Sequence, residues 1–444
     1  MKKSLLAMTA LAAMLFAGCT SSDEITTLES IKQAENAPTP ISFGTYMGKT
    51  GSTRGGHVGL MNNDLLKTTG EGFGVFGYYT NASGYQSSGV NISPVNFMYN
   101  QHVTWDDPNW AYSPLKYWPN ETASSNVDQH SASSTGGPDK LTFFAYTPYV
   151  TVNPSTGAFP SAQTSGITAL TSNTVAGDPK VSYTLATDAD DVVDLCWAVV
   201  PNSTSYTIAQ SSTPQSMTDG FPNIDLTKQT VGEKIEFLFK HALAKLTFSV
   251  QGSFNEVTPS SNDVDGSTRI VVDNVAITTT FPKHGVLNLN NTTANVPLWD
   301  TSGSSDVVSL NINNDDIVAG SAGAAGLRYN GTDTYASQPL GVTKTKQYLM
   351  DADGTTKFFT LIPETKNLTI TITYHVYTVD TQLSTGWSKV TNVITKTISN
   401  FPVAGGSWYN INMILGMTSV KFNASVAAWS VENSTDVDLP INEN

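Results

Sequence analysis

The sequence predicts an all-β protein made of two antiparallel β-sandwich domains in tandem. Three observations carry this expectation. Apolar residues recur with a period of two in many short runs. The clearest is 368–376, where Leu368, Ile370, Ile372, Tyr374 and Val376 alternate with Thr369, Thr371, Thr373 and His375. One face of such a strand is core and the other is wet, as in antiparallel sheets. No long amphipathic helical pattern interrupts these runs. Charged residues are 14 % of the 444-residue chain, well below the roughly 25 % of an average domain, while aromatics reach 10 % and Gly, Ser, Thr and Asn are plentiful.

Residues 1–18 read as a secretion signal. Lys2 and Lys3 precede an apolar run over 5–17, too short to cross a bilayer about 30 Å thick as a helix. Leu15-Phe16-Ala17-Gly18-Cys19 looks like a bacterial lipobox, in which Cys19 becomes the lipidated first residue of the mature chain. Phe16 stands where Leu is usual, and plain secretion with cleavage near Ala17 is the alternative. Several acyl chains on one cysteine anchor stably, since each buried methylene contributes about 0.8 kcal/mol. Thr20-Ser21-Ser22-Asp23-Glu24 is similar to the acidic tag of surface lipoproteins of Bacteroidetes, and residues 19–40 read as a tether.

The first expected strand is 41–47, with Ile41, Phe43 and Met47 on one side and Ser42, Gly44 and Tyr46 on the other. A polar, Gly-rich stretch follows, with Arg54 between Thr53 and Gly55. Two readings stand: an ordinary first strand and hairpin loop, or a strand tied on by a loop open to proteolysis. Further strands are expected at 72–79, 141–146, 235–240, 246–250, 409–415 and 420–426, with a bulge before Trp429, which falls out of phase. Residues 120–140 and 201–228 read as long loops. The domain boundary is placed near 230, giving domains 41–230 and 231–444.

The charge of −14 excludes nucleic acid and anionic membrane surfaces as natural partners. With only Cys19 and Cys196, the latter in an apolar run, no internal disulfide is expected and Cys196 reads as a buried strand thiol. The six histidines have no local zinc spacing, and His375 reads as a surface residue. Asp263-Val264-Asp265-Gly266 and Asp351-Ala352-Asp353-Gly354 fit hairpin turns better than calcium loops, lacking the first acid and the final Glu. Asp188, Asp190, Asp191 and Asp194 read as a solvated loop. There is no nucleophile elbow or P-loop, so the expectation is no enzyme, no cofactor and no metal.

Trp110-Ala111-Tyr112-Ser113-Pro114-Leu115-Lys116-Tyr117-Trp118-Pro119 and Leu141-Thr142-Phe143-Phe144-Ala145-Tyr146-Thr147-Pro148 resemble a core motif of the fimbrillin family, the type V pilus subunits of Bacteroidetes. Phe239-Lys240-His241-Ala242-Leu243-Ala244-Lys245-Leu246-Thr247-Phe248 is similar to the segment opening that family's second domain. Trp408-Tyr409-Asn410-Ile411 and the run from Val420 to Trp429 are similar to its closing strands. The resemblance implies two transthyretin-like sandwiches, exported as an outer-membrane lipoprotein. It also implies a structural or adhesive role, as stalk or tip of a surface fimbria, with other fimbrial subunits as partners. On it, an Arg-specific protease cuts between Arg54 and Gly55, and the strand carrying Ile41, Phe43 and Met47 leaves. A C-terminal strand of another subunit, here 436–442 with Val437, Leu439 and Ile441, then replaces it. Pro440 confines that segment to a sheet edge. A frayed polar tail is the other reading of 430–444. The alternatives in function are a monomeric surface lipoprotein binding glycans, through the rings between Trp105 and Trp118, or an uncut anchor subunit that keeps its lipid. Core packing is the competing reading of those rings.

Overall fold

The alternation at 368–376 belongs to a strand of 15 residues, Thr365–Val379, and the five apolar residues of the alternation are all buried. In this computed structural model, the described residues are 39–47, 61–68, 70–81, 84–85, 93–119, 139–201, 220–226, 234–253, 267–304, 308–351, 357–416, 420–429 and 437–439. The lipobox with Cys19, the tether to residue 38, and Arg54 and Gly55 lie outside them.

Strands are numbered in chain order. The first sheet has eight, β1 (Phe43–Tyr46), β2 (Phe73–Asn81), β3 (Met98–Asp106), β4 (Asn109–Ala111), β5 (Lys140–Thr147), β8 (Cys196–Val199), β9 (Asn223–Leu226) and β10 (Ile235–His241). Their order is β1-β10-β8-β5-β2-β3-β4, with β9 also on β5. A four-stranded sheet, β14-β13-β7-β6, takes β6 (Gly166–Leu170), β7 (Lys180–Thr184), β13 (His284–Asn288) and β14 (Leu298–Asp300). A second four-stranded sheet, β15-β12-β18-β19, joins β12 (Thr268–Thr279), β15 (Val308–Ile312), β18 (Thr365–Val379) and β19 (Trp387–Pro402). The last sheet runs β16-β11-β20-β21-β22, with β17 also on β11. Its strands are β11 (Ala244–Gly252), β16 (Gln347–Tyr348), β17 (Phe359–Leu361), β20 (Ser407–Leu415), β21 (Val420–Ala428) and β22 (Val437–Leu439).

The first sheet is apolar on both faces, which is why β2 and β5 read as nearly unbroken aromatic runs. Phe76, Tyr78, Phe144, Tyr146, Trp197 and Val199 face a core shared with β6, β7 and β13. Phe73, Val75, Phe143, Ala145, Cys196 and Ala198 face the opposite way, into a second core. The first of these cores continues through Ala242, Leu243 and Ala244 into the space between the last two sheets. There Phe248, Val250, Ile411 and Met413 join Ile270, Val272, Ile370 and Ile372. Strand β10, which follows residue 230, pairs with β8 and β1, and β13 pairs with β7 across the same point in the chain.

The structure differs from the sequence expectation in four places. Asp194, read with Asp188, Asp190 and Asp191 as a solvated loop, is fully buried, because it leads into β8 and bonds to Met61 N and His241. Within the segment read as a loop over 201–228, Asn223–Leu226 is a strand on β5. No bulge precedes Trp429: β21 pairs with β20 in unbroken register from Ala428 to Val420, and Trp429 is buried just beyond it, stacked on His241. His375 is buried, not a surface residue, because Tyr329 and its loop fold over that end of β18. Its Nδ1 lies 2.9 Å from Thr391 Oγ1 and its Nε2 3.7 Å from Asp273 Oδ2. Burial, then the nearby Lys389 ammonium, lower its pKa, against Asp273 and Asp333, which raise it. The neutral imidazole is thus favoured by folding. Its contribution is present above the unfolded pKa of about 6.5 and is lost as pH falls through the lower folded value. Urea midpoints are expected to drop as pH falls below 6.5, and to drop less in His375→Gln.

Candidate assembly slot

Ile41, Phe43 and Met47 are 1 %, 1 % and 3 % exposed, so the alternation of the first strand points its apolar side into the second core of the first sheet. β1 is paired along one flank, and the residues just before it, 39–41, are bonded on the other. On one side β1 runs parallel to β10, with Phe43 beside Ile235 and Tyr46 beside Leu238, and Ile235 N donates to Ser42 O at 2.8 Å. On the other side Ile41 N donates to Lys116 O and Trp118 N donates to Thr39 O, both at 2.9 Å. Tyr112 Oη adds a bond to Ile41 O at 2.8 Å. Strand β1 therefore lies in a slot, with β10 as one wall and residues 112–118 as the other.

Phe43 is the centre of the slot. Its ring stacks on Phe237 at 5.6 Å and meets Tyr112, Phe143 and Phe73 at 5.4, 5.8 and 6.4 Å. The rings between Trp105 and Trp118 mostly pack here: Trp110 and Trp118 are buried, Trp110 on Phe73 and Trp118 on Phe143. Trp105 leans on Trp110 with the Lys67 ammonium over its face, and Tyr117 and Leu115 are exposed. Burying three large apolar side chains of β1 is worth about 5–8 kcal/mol before ordering costs.

Past β1 the chain is anchored twice. Met47 N donates to Asn63 Oδ1 at 3.0 Å, and Met61 N donates to the buried Asp194 Oδ2 at 2.9 Å. Asn62 caps the short helix Asn63–Leu66 by accepting from Leu65 N. Arg54 and Gly55 lie between these anchors, outside the described residues. At the other end of the chain, Val437 and Leu439 belong to β22, the outermost strand of its sheet. Its backbone pairs antiparallel with β21, Val437 beside Val426 and Leu439 beside Ala424. Ile441 lies outside the described residues. Sequence reasoning found the strand but missed its walls. The Phe237 and Phe239 alternation was legible, whereas pairing between residues nearly two hundred apart leaves no local signal.

Removing the Phe43 ring is expected to cost about 3–5 kcal/mol in Phe43→Ala, read from urea unfolding. Burial pushes the Tyr112 phenol up to about 12. The neutral phenol is favoured in the fold, so its contribution is complete below pH 10 and is lost as pH rises from 10 through 12. Tyr112→Phe is expected to cost about 1 kcal/mol at neutral pH. The gap between wild type and this variant is expected to close above pH 10, with protease sensitivity near residue 41 as a second readout.

No family model matches the chain. The fimbrium subunit Fim1C of Phocaeicola vulgatus is 31 % identical over 195 residues, which is 44 % of this chain and 43 % of that protein. The chain thus aligns with less than half the length of this relative. A crystal structure of a fimbrial protein from Bacteroides vulgatus superposes with a TM-score of 0.55 at 21 % identity, covering 88 % of this chain and 99 % of that one. The chain resembles fimbrial proteins of Bacteroidetes, in sequence over part of its length and in fold over most of it.

Proposed function

We propose that the protein is a structural or adhesive subunit of a surface fimbria, assembled by exchange of its first strand. The observation that carries this reading is the slot. The first strand covers an apolar face, is bonded to its neighbours through main chain, the Tyr112 phenol and the Asn63 amide, and is followed by a segment holding Arg54. Similarity to fimbrial proteins supports the class of function and gives no support to catalysis. Among the described residues no helix is long and apolar enough to cross a membrane. In the proposed route the precursor is held at the outer membrane by lipid on Cys19 and is cut after Arg54 by an Arg-specific protease.

Cleavage alone would not empty the slot. The severed strand keeps its contacts, and an open slot would expose Phe73, Phe143 and Phe237 to water. Replacement by another strand avoids that state, which couples departure to assembly. Residues 437, 439 and 441 have the same two-residue spacing as Ile41 and Phe43, so a donor from a second subunit could supply apolar groups to those positions. Among the described residues three residues of β22 pair with β21, so detaching them breaks few ladder bonds.

N-terminal sequencing of chains recovered from assembled surface filaments is expected to begin at Gly55. Recovery only of chains starting at lipidated Cys19 would reject strand exchange by this cut and favour an anchor subunit or monomeric lipoprotein. Deleting residues 436–444 is expected to leave the monomer folded and processed but to abolish polymer. Undiminished polymer would assign the donor role elsewhere.

A further inference from the structure

We propose that Asp194, Cys196 and His241 form a buried site for a divalent cation of the zinc class. The three are far from any zinc motif in sequence, and the fold assembles them. Pairing of β8 with β10 sets Cys196 directly beside His241, and Asp194 lies two residues before Cys196. All three are buried, at 0 %, 0 % and 7 % exposure.

Their donor atoms converge. His241 Nδ1 is 2.8 Å from Asp194 Oδ2 and 3.5 Å from Cys196 Sγ, and Sγ is 3.9 Å from Asp194 Oδ1. One carboxylate oxygen, one imidazole nitrogen and the sulfur lie within 4.8 Å of one another. Zinc bond lengths near 2.0–2.3 Å at tetrahedral angles place an N–S pair about 3.5 Å apart and an N–O pair about 3.3 Å apart. The first spacing is already present, and the second requires Asp194 and His241 to separate by about half an ångström.

Charge and surroundings fit the same ion. A thiolate and a carboxylate balance a divalent cation, leaving a neutral cluster in an apolar interior, and a coordinating thiol gives up its proton to the metal's field. Met61 N orients the carboxylate from outside, and the Trp429 indole stacks on the His241 ring at 4.2 Å and 10°, with Phe358 edge-on behind it. Such outer contacts fix ligand rings in metal sites. Three protein donors leave a fourth position for water. A hard cation such as calcium, which needs six or more oxygen ligands, does not fit a sulfur–nitrogen–oxygen set.

The test is titration of the chelator-stripped full chain with Co²⁺, then Zn²⁺. The expected result is one equivalent bound, with near-ultraviolet thiolate-to-cobalt absorption and the visible bands of a tetrahedral site, both erased by zinc. Cys196→Ser, which keeps Cys19, is expected to lose the near-ultraviolet absorption, and His241→Ala to bind at least tenfold more weakly. Zinc is also expected to raise the melting temperature of the wild-type chain. The proposal is overturned if wild type shows no thiolate–cobalt absorption and no change in melting with excess zinc, or if the absorption survives in Cys196→Ser. Wild type alone decides the first outcome, so a variant that fails to fold leaves the proposal testable.

Discussion

The constraint on which this structure depends is a sheet with no polar face. β2, β5 and β8 place large apolar side chains on both sides, so the first sheet must be covered twice. The β6-β7-β13-β14 sheet covers one side. Among the described residues no comparable sheet covers the other; residues 97–118, the short helix at 63–66 and β1 do so together. A cover assembled from short pieces is less cooperative than a second sheet. Each piece contributes its own few kilocalories, and one of them sits at the start of the described chain.

That arrangement explains why β10 matters more than its length suggests. It is the wall against which β1 pairs, it carries Phe237 and Phe239 into the slot, and through Ala242 and Leu243 it leads directly into β11 and the other core. Trp429, at the end of β21, stacks on the last residue of β10, and Trp299 Nε1 donates to Ala242 O. The sandwich that holds β1 is therefore tied mechanically to the sheet whose outer edge carries β22.

Much of the fold was legible because it rests on local periodicity. β18, β20 and β11 alternate cleanly and the apolar residues the pattern names are buried, although on β11 the intervening Lys245, Thr247 and Ser249 are buried as well. The errors arise where a residue's surroundings come from elsewhere in the chain. His375 lies on the side of β18 where Thr369, Thr371 and Thr373 remain partly solvated, and only the arrival of Tyr329 buries it. Trp429 appeared to require a bulge because its phase was read as part of β21, whereas it lies past the strand's end and takes its place from His241. At the slot, Ile41 and Phe43 announced an apolar face, but Tyr112, Asn63 and Asp194 gave no sign of their roles. Each acts on a backbone group at a distance that depends on the completed fold.

Besides its ladder with β10, which runs through Tyr46, the first strand has different attachments at its two ends. Upstream it is clasped by backbone bonds from residues 39–41 to 116–118 and by Tyr112; downstream the Asn63 amide accepts from Met47 N. Met61 is fixed separately on Asp194, so the chain on the far side of residues 48–60 has an anchor independent of β1. In the proposed exchange, an incoming strand that started at the Met47 end would displace β1 pairwise from there and meet the Tyr112 clasp last. Partial replacement keeps most of the apolar face covered at every step, whereas full departure would forfeit the burial of Ile41, Phe43 and Met47 at once. Were the first strand exchanged as proposed, progressive displacement would be favoured over full departure, because its intermediates keep most of the apolar face covered.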